Sequence, residues 1–270
     1  MAVVLANTTS PKLLNYGKHQ IKPSFATVLY TVDGTLNVCS KCIAMFPTLH
    51  SLENHMERCT IPYKPIYEED TFKVSKIEAL KNKQLLSMIS QMFIKSKTVY
   101  FEVDKYDFFI IYDQEIIGYF SRYKNGRHSL NCFLVFSCFQ KQGWGTVLMD
   151  FSTIPAVRIT SQGNNNDIKQ ASAKGDTVDL SNVVYDPKPP EKPYTKKAIL
   201  CFRKYWKYKV IGAQTVAEIS RKSNLTLDET VVGLELNGFN FKKWKIEGEI
   251  GVEKPRLLSK KVYKKSLAQN

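Results

Sequence analysis

The chain has 270 residues, of which 43% are hydrophobic and 12% aromatic, so it is long enough to bury one large core or two smaller ones. Its apolar runs are shorter than the roughly 20 residues that a membrane span needs, and its first residues lack the pattern of a secretory signal. We therefore expect an intracellular protein that does not enter a membrane. The net charge of +14 attracts polyanions such as nucleic acid, but it also serves solubility.

The first part of the chain predicts a small β module followed by a helix. Residues 1–20 show little periodicity, and we expect a flexible N-terminus there. Residues 25–39 predict a β-hairpin around an Asp33-Gly34 turn. SLENHMERC predicts a helix, with Ser51 as its N-cap.

The middle of the chain predicts a sheet accompanied by one long helix. TIPYKPIYEED is expected to be a linker because of its prolines, and ALKNKQLLSMISQMFI has its apolar residues on one helical face. KTVYFEV, YDFFIIYD and EIIGYFSRY predict strands. NCFLVF is almost continuously apolar, which predicts a central strand, and a short helix is expected after Gly145.

The last part of the chain predicts a polar insert followed by helices. Residues 160–184 hold few large apolar groups, and we expect them to be disordered. AILCFRKYWKYKVI predicts an amphipathic helix that buries its aromatic residues rather than stacking them on nucleic-acid bases. Two further helices and a short strand predict a winged-helix-like module, with Asn237-Gly238 ending its second helix.

Three cysteines and one histidine have the spacing of a zinc site, Cys39-x2-Cys42-x12-His55-x3-Cys59. Thiolates and an imidazole at this spacing form closed tetrahedral sites, so we predict a structural Zn2+. His50 is an alternative ligand with a less usual spacing. A chance cluster of cysteines is a less favoured interpretation. A DNA-reading finger is also less favoured, because its helix has a single arginine and no cluster of base-reading side chains.

Residues 140–145, QKQGWG, lie between a predicted strand and a predicted helix. Glycines allow the backbone to approach a ligand closely, and N–H groups at the start of a helix suit a diphosphate. Neither a mononucleotide P-loop nor the dinucleotide-binding pattern is present. A diphosphate ligand with a thin arm along the preceding strand fits, and acetyl-CoA has that shape. An ordinary glycine turn is the alternative.

MYST acetyltransferases contain similar segments in the same order, and this chain resembles them from about Thr35 to Trp244: LNVCSKC, HMERC, KTVYFEVDKYDFFIIY, IIGYFS, NCFLVF, QGWGTVLMDFS, PEKP and FRKYW. The spacing is most similar to that of the fungal silencing subgroup. The resemblance implies an α+β fold with an acetyl-CoA N-acyltransferase-like central core, an N-terminal C2HC zinc finger and a C-terminal helical, winged-helix-like region. The predicted divisions are a flexible N-terminus (1–20), hairpin and zinc finger (21–62), central core (63–159), disordered insert (160–184), helical region (185–250) and basic tail (251–270).

The resemblance also implies roles for individual residues. Cys132 matches the active-site cysteine, Glu191 in PEKP matches the catalytic general base, and Lys97 matches the lysine that family members acetylate on themselves. The positions that match acetyl-CoA contacts are Phe133, Leu134, Val135, Gln140, Lys141, Gln142, Gly143, Trp144, Gly145, Thr146, Thr195 and Lys204. Two segments depart from the family pattern: Val135-Phe136-Ser137 replaces Thr-x-Pro, and Thr195–Ala198 replaces Ser-Asp-Leu-Gly.

These residues predict a histone lysine acetyltransferase of the nucleus. A lysine ammonium, with a pKa of about 10.4, must lose a proton before it attacks a thioester, and we expect Glu191 in an apolar setting to take it. A backbone N–H near Val135 would stabilise the oxyanion, and Cys132 would either be acetylated transiently or shape the pocket. The expected partners are a histone tail (histone H4 favoured), chromatin complex subunits and, through non-specific contact, DNA. The alternative is a catalytically silent chromatin or DNA-binding scaffold.

Overall fold

The computed structural model describes residues 8–95, 97, 100–124, 126, 128–153, 187–210 and 215–239. The described residues divide into two compact units, up to residue 148 and from residue 149. The first contains two sheets and the second is helical, so the predicted α+β class is confirmed. None of the described helices is both long and apolar enough to span a bilayer. The predicted insert at 160–184, the short strand after Gly238 and the basic tail at 251–270 lie outside the described residues.

A four-stranded sheet begins the first unit. Its strands are β1 (Leu13–Tyr16), β2 (His19–Ile21), β3 (Thr35–Val38) and β4 (Met45–Phe46), in the order β2-β1-β3-β4. The prediction of a flexible N-terminus is wrong for the described residues before 20, because Leu14 and Tyr16 on one side of β1 are fully buried. Burial of these two apolar side chains, together with the pairing of β1 with β2 and β3, orders residues that show little sequence periodicity.

The turn at Asp33-Gly34 forms as predicted, but the strand expected before it does not. Gly34 has a φ of +76°, and the Thr35 N–H donates to Asp33 Oδ1 at 2.9 Å. Residues 25–30 contain no strand. β3 instead pairs in parallel with β1, so the partner that the local pattern suggested is replaced by a more distant one.

A five-stranded antiparallel sheet forms the centre of the first unit. Its strands are β5 (Pro65–Glu69), β6 (Phe72–Ile77), β7 (Tyr106–Tyr112), β8 (Ile116–Tyr123) and β9 (Cys132–Val135), in that order across the sheet. The predicted linker TIPYKPIYEED therefore contains an edge strand, which tolerates Pro65 at its first residue. β9 was expected to be central, yet it lies at the edge of the described sheet.

Helices flank these sheets. The helices of the first unit are α1 (Leu49–Arg58), α2 (Leu80–Gln91) and α3 (Trp144–Thr153), the last of which crosses the boundary between the units. The N-cap of α1 is Thr48 rather than the predicted Ser51, whose N–H donates to Thr48 Oγ1 at 3.1 Å. The described residues of KTVYFEV form no strand. The last of them, Val103, instead begins a 3-10 helix at Val103–Lys105.

The described residues of the second unit after α3 form three helices: α4 (Lys196–Lys209), α5 (Val216–Ser223) and α6 (Leu227–Leu236). The aromatic residues of α4 are buried as predicted at Phe202, Tyr205 and Trp206. The Trp206 Nε1–H donates to Glu229 Oε1 at 3.1 Å, which joins α4 to α6. Gly238, with a φ of +92°, ends α6 as expected.

Gly118 in β8 permits the close approach of β9, and we expect its replacement to weaken the sheet. A Cβ at this position would overlap the carbonyl oxygen of Leu134 and lie 3.1 Å from the Cα of Val135. Neither atom moves without displacing the β9 backbone, so Gly118→Ala should lower the free energy of unfolding by about 1–3 kcal/mol. Thermal and urea denaturation measure the effect.

Gly145→Ala is the matched control for this prediction. No described atom lies within 4 Å of a Cβ at Gly145, which is in the first turn of α3. The free energy of unfolding of this variant should therefore equal that of the wild type or exceed it by up to about 1 kcal/mol, because alanine is the better helix former. Equal stability of the Gly118→Ala variant and the wild type would contradict the proposed close approach.

Candidate functional site

The four predicted metal ligands come together in the first unit. Cys39 and Cys42 follow β3, whereas His55 and Cys59 lie at the C-terminal end of α1, and the four ligand atoms lie within 4.8 Å of one another. The Sγ atoms of Cys39 and Cys59 are 3.8 Å apart, and Cys42 Sγ is 3.3 Å from His55 Nε2. A tetrahedral site with Zn–S bonds of about 2.3 Å has sulfur–sulfur edges of about 3.8 Å. The arrangement therefore fits a C2HC zinc finger. His50 is outside the cluster.

The turn between the first two ligands favours a thiolate. A hydrogen bond from the Cys42 thiol, together with backbone N–H groups of Lys41 and Cys42, lowers the pKa of Cys39 to about 5. Ile43 completes the turn with a φ of +67°, which is unusual for a β-branched residue and is maintained by its burial and by its N–H bond to Cys39 O at 2.9 Å. The fold therefore holds this turn in a costly conformation that metal ligation would help to stabilise.

A hydrogen-bonded network joins the cysteine turn to the central sheet. Ser40 lies between Cys39 and Cys42, and its hydroxyl donates to Glu115 Oε1 at 2.6 Å in the β7–β8 turn. The Ile116 N–H donates to Ser40 O at 2.8 Å, and His19 Nε2 lies 3.1 Å from Glu115 Oε2. The metal site is thereby connected to the hairpin whose second strand, β8, supports β9.

The β9 strand has one edge that no described strand covers. The Phe136 N–H donates to Ile117 O at 3.1 Å, and bonded positions alternate along an antiparallel ladder. The backbone groups of Phe133 and Val135 therefore point away from β8. Consistently, Gln140 Nε2–H donates to Val135 O at 2.9 Å from that side. This edge therefore directs the Val135 N–H away from the sheet, the orientation that a contact with an extended ligand requires.

The predicted loop at residues 140–146 directly precedes and enters α3. Lys141 has a φ of +64° and Gly143 a φ of +91°, so the backbone turns tightly before the helix begins at Trp144. Left-handed residues beside right-handed ones direct successive N–H groups into a concavity that suits anions. The Thr146 N–H already donates to Gly143 O at 2.9 Å, and the Cβ side of Gly145 is open within the described residues. The loop therefore has the tight turn expected before α3 and open space beside Gly145.

Cys132 shares one face of the central sheet with Tyr119 and Lys97. Cys132 is half-buried, and its Sγ lies 3.6 Å from the hydroxyl of Tyr119, which is fully buried. Burial raises the pKa of the Tyr119 phenol well above its usual value, so it remains a neutral hydrogen-bonding group. Lys97 is 8% exposed and places its Nζ 5.5 Å from the ring centre of Phe108 on the same face.

Tyr119 is a residue of this site that the sequence did not reveal. It carries no motif of its own within EIIGYFSRY. Only the register of β8 against β9, in which Ser121 lies opposite Cys132, places position 119 on the face of the cysteine. A sequence pattern that is apolar at every position of a strand does not indicate which residues share that face.

Three further predicted site residues lie in the second unit. Glu191 is exposed, which differs from the expected apolar setting. Thr195 is the N-cap of α4, and its hydroxyl oxygen accepts from the Ala198 N–H at 3.1 Å. Lys204 is exposed on α4. The described geometry thus gives Thr195 a local structural task and leaves the other two side chains accessible to solvent.

We expect the cysteine and histidine cluster to bind one zinc ion per chain. Cys59→Ser should remove the metal and lower the melting temperature, because a closed site of this type contributes directly to folding. Cys201→Ser, at an exposed cysteine outside the cluster, and His50→Ala should both retain one zinc. Inductively coupled plasma mass spectrometry measures the metal content, and equal zinc in Cys59→Ser and wild type would contradict the assignment.

Comparison with known proteins supports the resemblance to acetyltransferases. A family model described as the MOZ/SAS family matches residues 60–162. Histone acetyltransferase mst2 of Schizosaccharomyces pombe is 25% identical over 250 residues, which cover 84% of this chain and 55% of that protein. The Tip60 homolog of Caenorhabditis elegans, also named a histone acetyltransferase, is 24% identical over 279 residues, with 92% and 55% covered.

A third relative extends the comparison to another fungus. Histone acetyltransferase esa-1 of Neurospora crassa is 23% identical over 239 residues, which cover 83% of this chain and 42% of that protein. The chain spans about half the length of the curated relatives it matches. The resemblance inferred from the motifs is thereby supported over residues 60–162, which match the MOZ/SAS family model.

Proposed function

We propose that this protein is a histone lysine acetyltransferase that transfers the acetyl group of acetyl-CoA to a lysine of a histone tail, with histone H4 favoured. The observation that carries the proposal is the sequence of elements in the first unit. A strand whose outer edge is paired with no described strand begins at Cys132 and leads through a tight glycine-containing turn into α3. The three relatives named histone acetyltransferases support the same activity.

Acetyl-CoA would lie along β9 and end at the turn before α3. Its pantetheine arm carries amides, which suit a strand backbone, and we place the arm beside Phe133, Leu134 and Val135. Its diphosphate suits the N–H groups at residues 140–146 and the positive end of the α3 dipole. We assign further contacts to Thr195, whose hydroxyl hydrogen is available for donation, and to the cationic Lys204.

The chemical step requires a deprotonated lysine beside the thioester. We assign the proton transfer to Glu191, whose side chain is exposed to solvent. The neutral amine then attacks the thioester carbonyl, and the Val135 N–H stabilises the oxygen as it becomes negative. Collapse of this intermediate breaks the C–S bond, and CoA leaves as a thiol once it takes up the proton that Glu191 removed. We assign Cys132 either to accept the acetyl group transiently or to shape the pocket, and the neutral Tyr119 hydroxyl 3.6 Å from its thiol supports this assignment by orienting the thiol.

The setting of Lys97 suits modification within the same molecule. It is 8% exposed and shares the Cys132 face of the sheet, so acetylation would remove a charge that is expensive to bury. We assign Lys97 as the autoacetylated lysine, and we place the protein in the nucleus with chromatin complex subunits as partners.

Glu191→Gln should lower the rate of acetyl transfer to a histone H4 tail peptide by at least about a hundredfold, because the variant lacks the proton acceptor. Acetyl-CoA binding by calorimetry and the melting temperature should be unchanged, since the side chain is exposed. Glu235→Gln makes the same chemical change at an exposed residue of α6 and should retain full activity. Measurement with radiolabelled acetyl-CoA distinguishes the variants.

Two outcomes of this assay would contradict the proposal in different ways. Undiminished acetyl transfer by Glu191→Gln would contradict the assignment of Glu191 as the base but not the proposed acetyltransferase activity. A wild-type chain that neither binds acetyl-CoA nor transfers acetyl, even with partner subunits, would instead be a catalytically silent chromatin scaffold.

Gly145→Ala tests the cofactor loop separately. The added methyl group would occupy the open side of the first turn of α3, where we place the diphosphate. We expect acetyl-CoA binding to weaken at least about tenfold without loss of stability, since a backbone contact of this kind tolerates little displacement. Ser152→Ala, which lies later in α3 and bonds only to Met149 O, is the control for cofactor affinity measured by calorimetry. Unchanged affinity in Gly145→Ala would contradict the placement of the diphosphate.

A further inference from the structure

Helix α4 presents an uncompensated basic face. Its 14 residues, KKAILCFRKYWKYK, include six cations and no acidic residue. Lys209 forms an ion pair with Asp150, at 2.8 Å from Nζ to Oδ1. The remaining five cations are exposed, and none of them forms an ion pair within the described part of the chain: Lys196, Lys197, Arg203, Lys204 and Lys207.

The five exposed cations lie on one side of the helix. At 100° per residue they fall within an arc of about 120°, which we call the α4 basic face. The opposite arc carries Phe202, Tyr205 and Trp206, whose side chains are only 3–5% exposed. The buried aromatic residues fix the rotation of the helix about its axis. The five cations on the opposite side therefore all face solvent.

The basic face is too long for a single small anion. Lys196, Arg203 and Lys207 form a stripe along one side of this face, which spans 11 helical steps and therefore about 16 Å along the helix axis. Each DNA strand presents one phosphate about every 3.4 Å of duplex length. A stripe of this length therefore faces about five successive phosphates, which matches a polyanion with regularly spaced charges.

We propose that the α4 basic face binds the phosphate backbone of double-stranded DNA without reading its sequence. Helix α4 contains no Asn or Gln, the side chains that most often recognise adenine edges, and its aromatic residues that are buried cannot stack on bases. The net charge of +14 supports attraction of a polyanion over a longer range. Lys204 at one side of this face is also assigned to acetyl-CoA, whereas the other four cations have no part in the proposed acetyl transfer.

An anionic membrane surface fits this helix less well. A helix that lies on a membrane inserts its apolar face, but here that face is buried within the second unit. The exposed apolar side chains of α4 are Leu200, 67% exposed, and the partly apolar Tyr208, 43% exposed. One leucine beside one tyrosine provides too little apolar area for insertion.

The test is the salt dependence of DNA binding by the full chain. The variant Lys196→Gln/Arg203→Gln/Lys207→Gln removes the three positive charges of the stripe. Lys204 is left in place because it is assigned to acetyl-CoA. Fluorescence anisotropy with a 20-base-pair duplex should show weaker binding and a slope of log K against log salt that is smaller in magnitude by about 2.7. Two duplexes of unrelated sequence should be affected equally.

The matched control is Lys12→Gln/Lys18→Gln/Lys81→Gln, which removes the same charge from exposed positions of the first unit. It should leave the slope close to that of the wild type, and both variants should retain the wild-type melting temperature. Equal loss of slope in the two variants, or no loss in the α4 variant, would overturn the proposal. So would a variant that loses binding to phosphatidylserine vesicles while it retains binding to DNA.

Discussion

The close pairing of β9 with β8 at the edge of the central sheet is the constraint on which the candidate site depends. Gly118 permits it, because any larger residue would meet the carbonyl oxygen of Leu134. The pairing places Cys132 beside Tyr119 and directs the backbone of Phe133 and Val135 away from β8. A site built from main-chain groups needs a rigid strand, since its specificity comes from where the backbone lies.

The zinc finger stabilises the same hairpin from its other end. Ser40, which lies between two of the cysteines, donates to Glu115 in the β7–β8 turn and accepts from the Ile116 N–H. Tyr16 in β1 also donates to Ile116 O, at 2.8 Å. Metal ligation, the N-terminal sheet and the hairpin therefore meet at one turn. Loss of zinc should disturb β8 and, through it, the strand that we assign to acetyl-CoA.

Features that depend on nearby residues could be predicted from the sequence. Strand pairings that depend on residues far apart in the chain could not. The zinc ligands, the turn at Asp33-Gly34 and the buried aromatic face of α4 follow from spacing or residue type. The parallel pairing of β1 with β3, the strand in the predicted linker and the edge position of β9 depend on partners far along the chain. Tyr119 was missed for the same reason, because only the strand register places it beside Cys132.

Hydrogen–deuterium exchange with and without acetyl-CoA tests the central claim most directly, because it observes the backbone itself. The account predicts that acetyl-CoA slows exchange at the amides of Phe133 and Val135 and in the segment 140–146, whereas the amide of Leu134, already turned toward β8, changes little. Protection confined to other segments, or none along β9 at saturating acetyl-CoA, would contradict it.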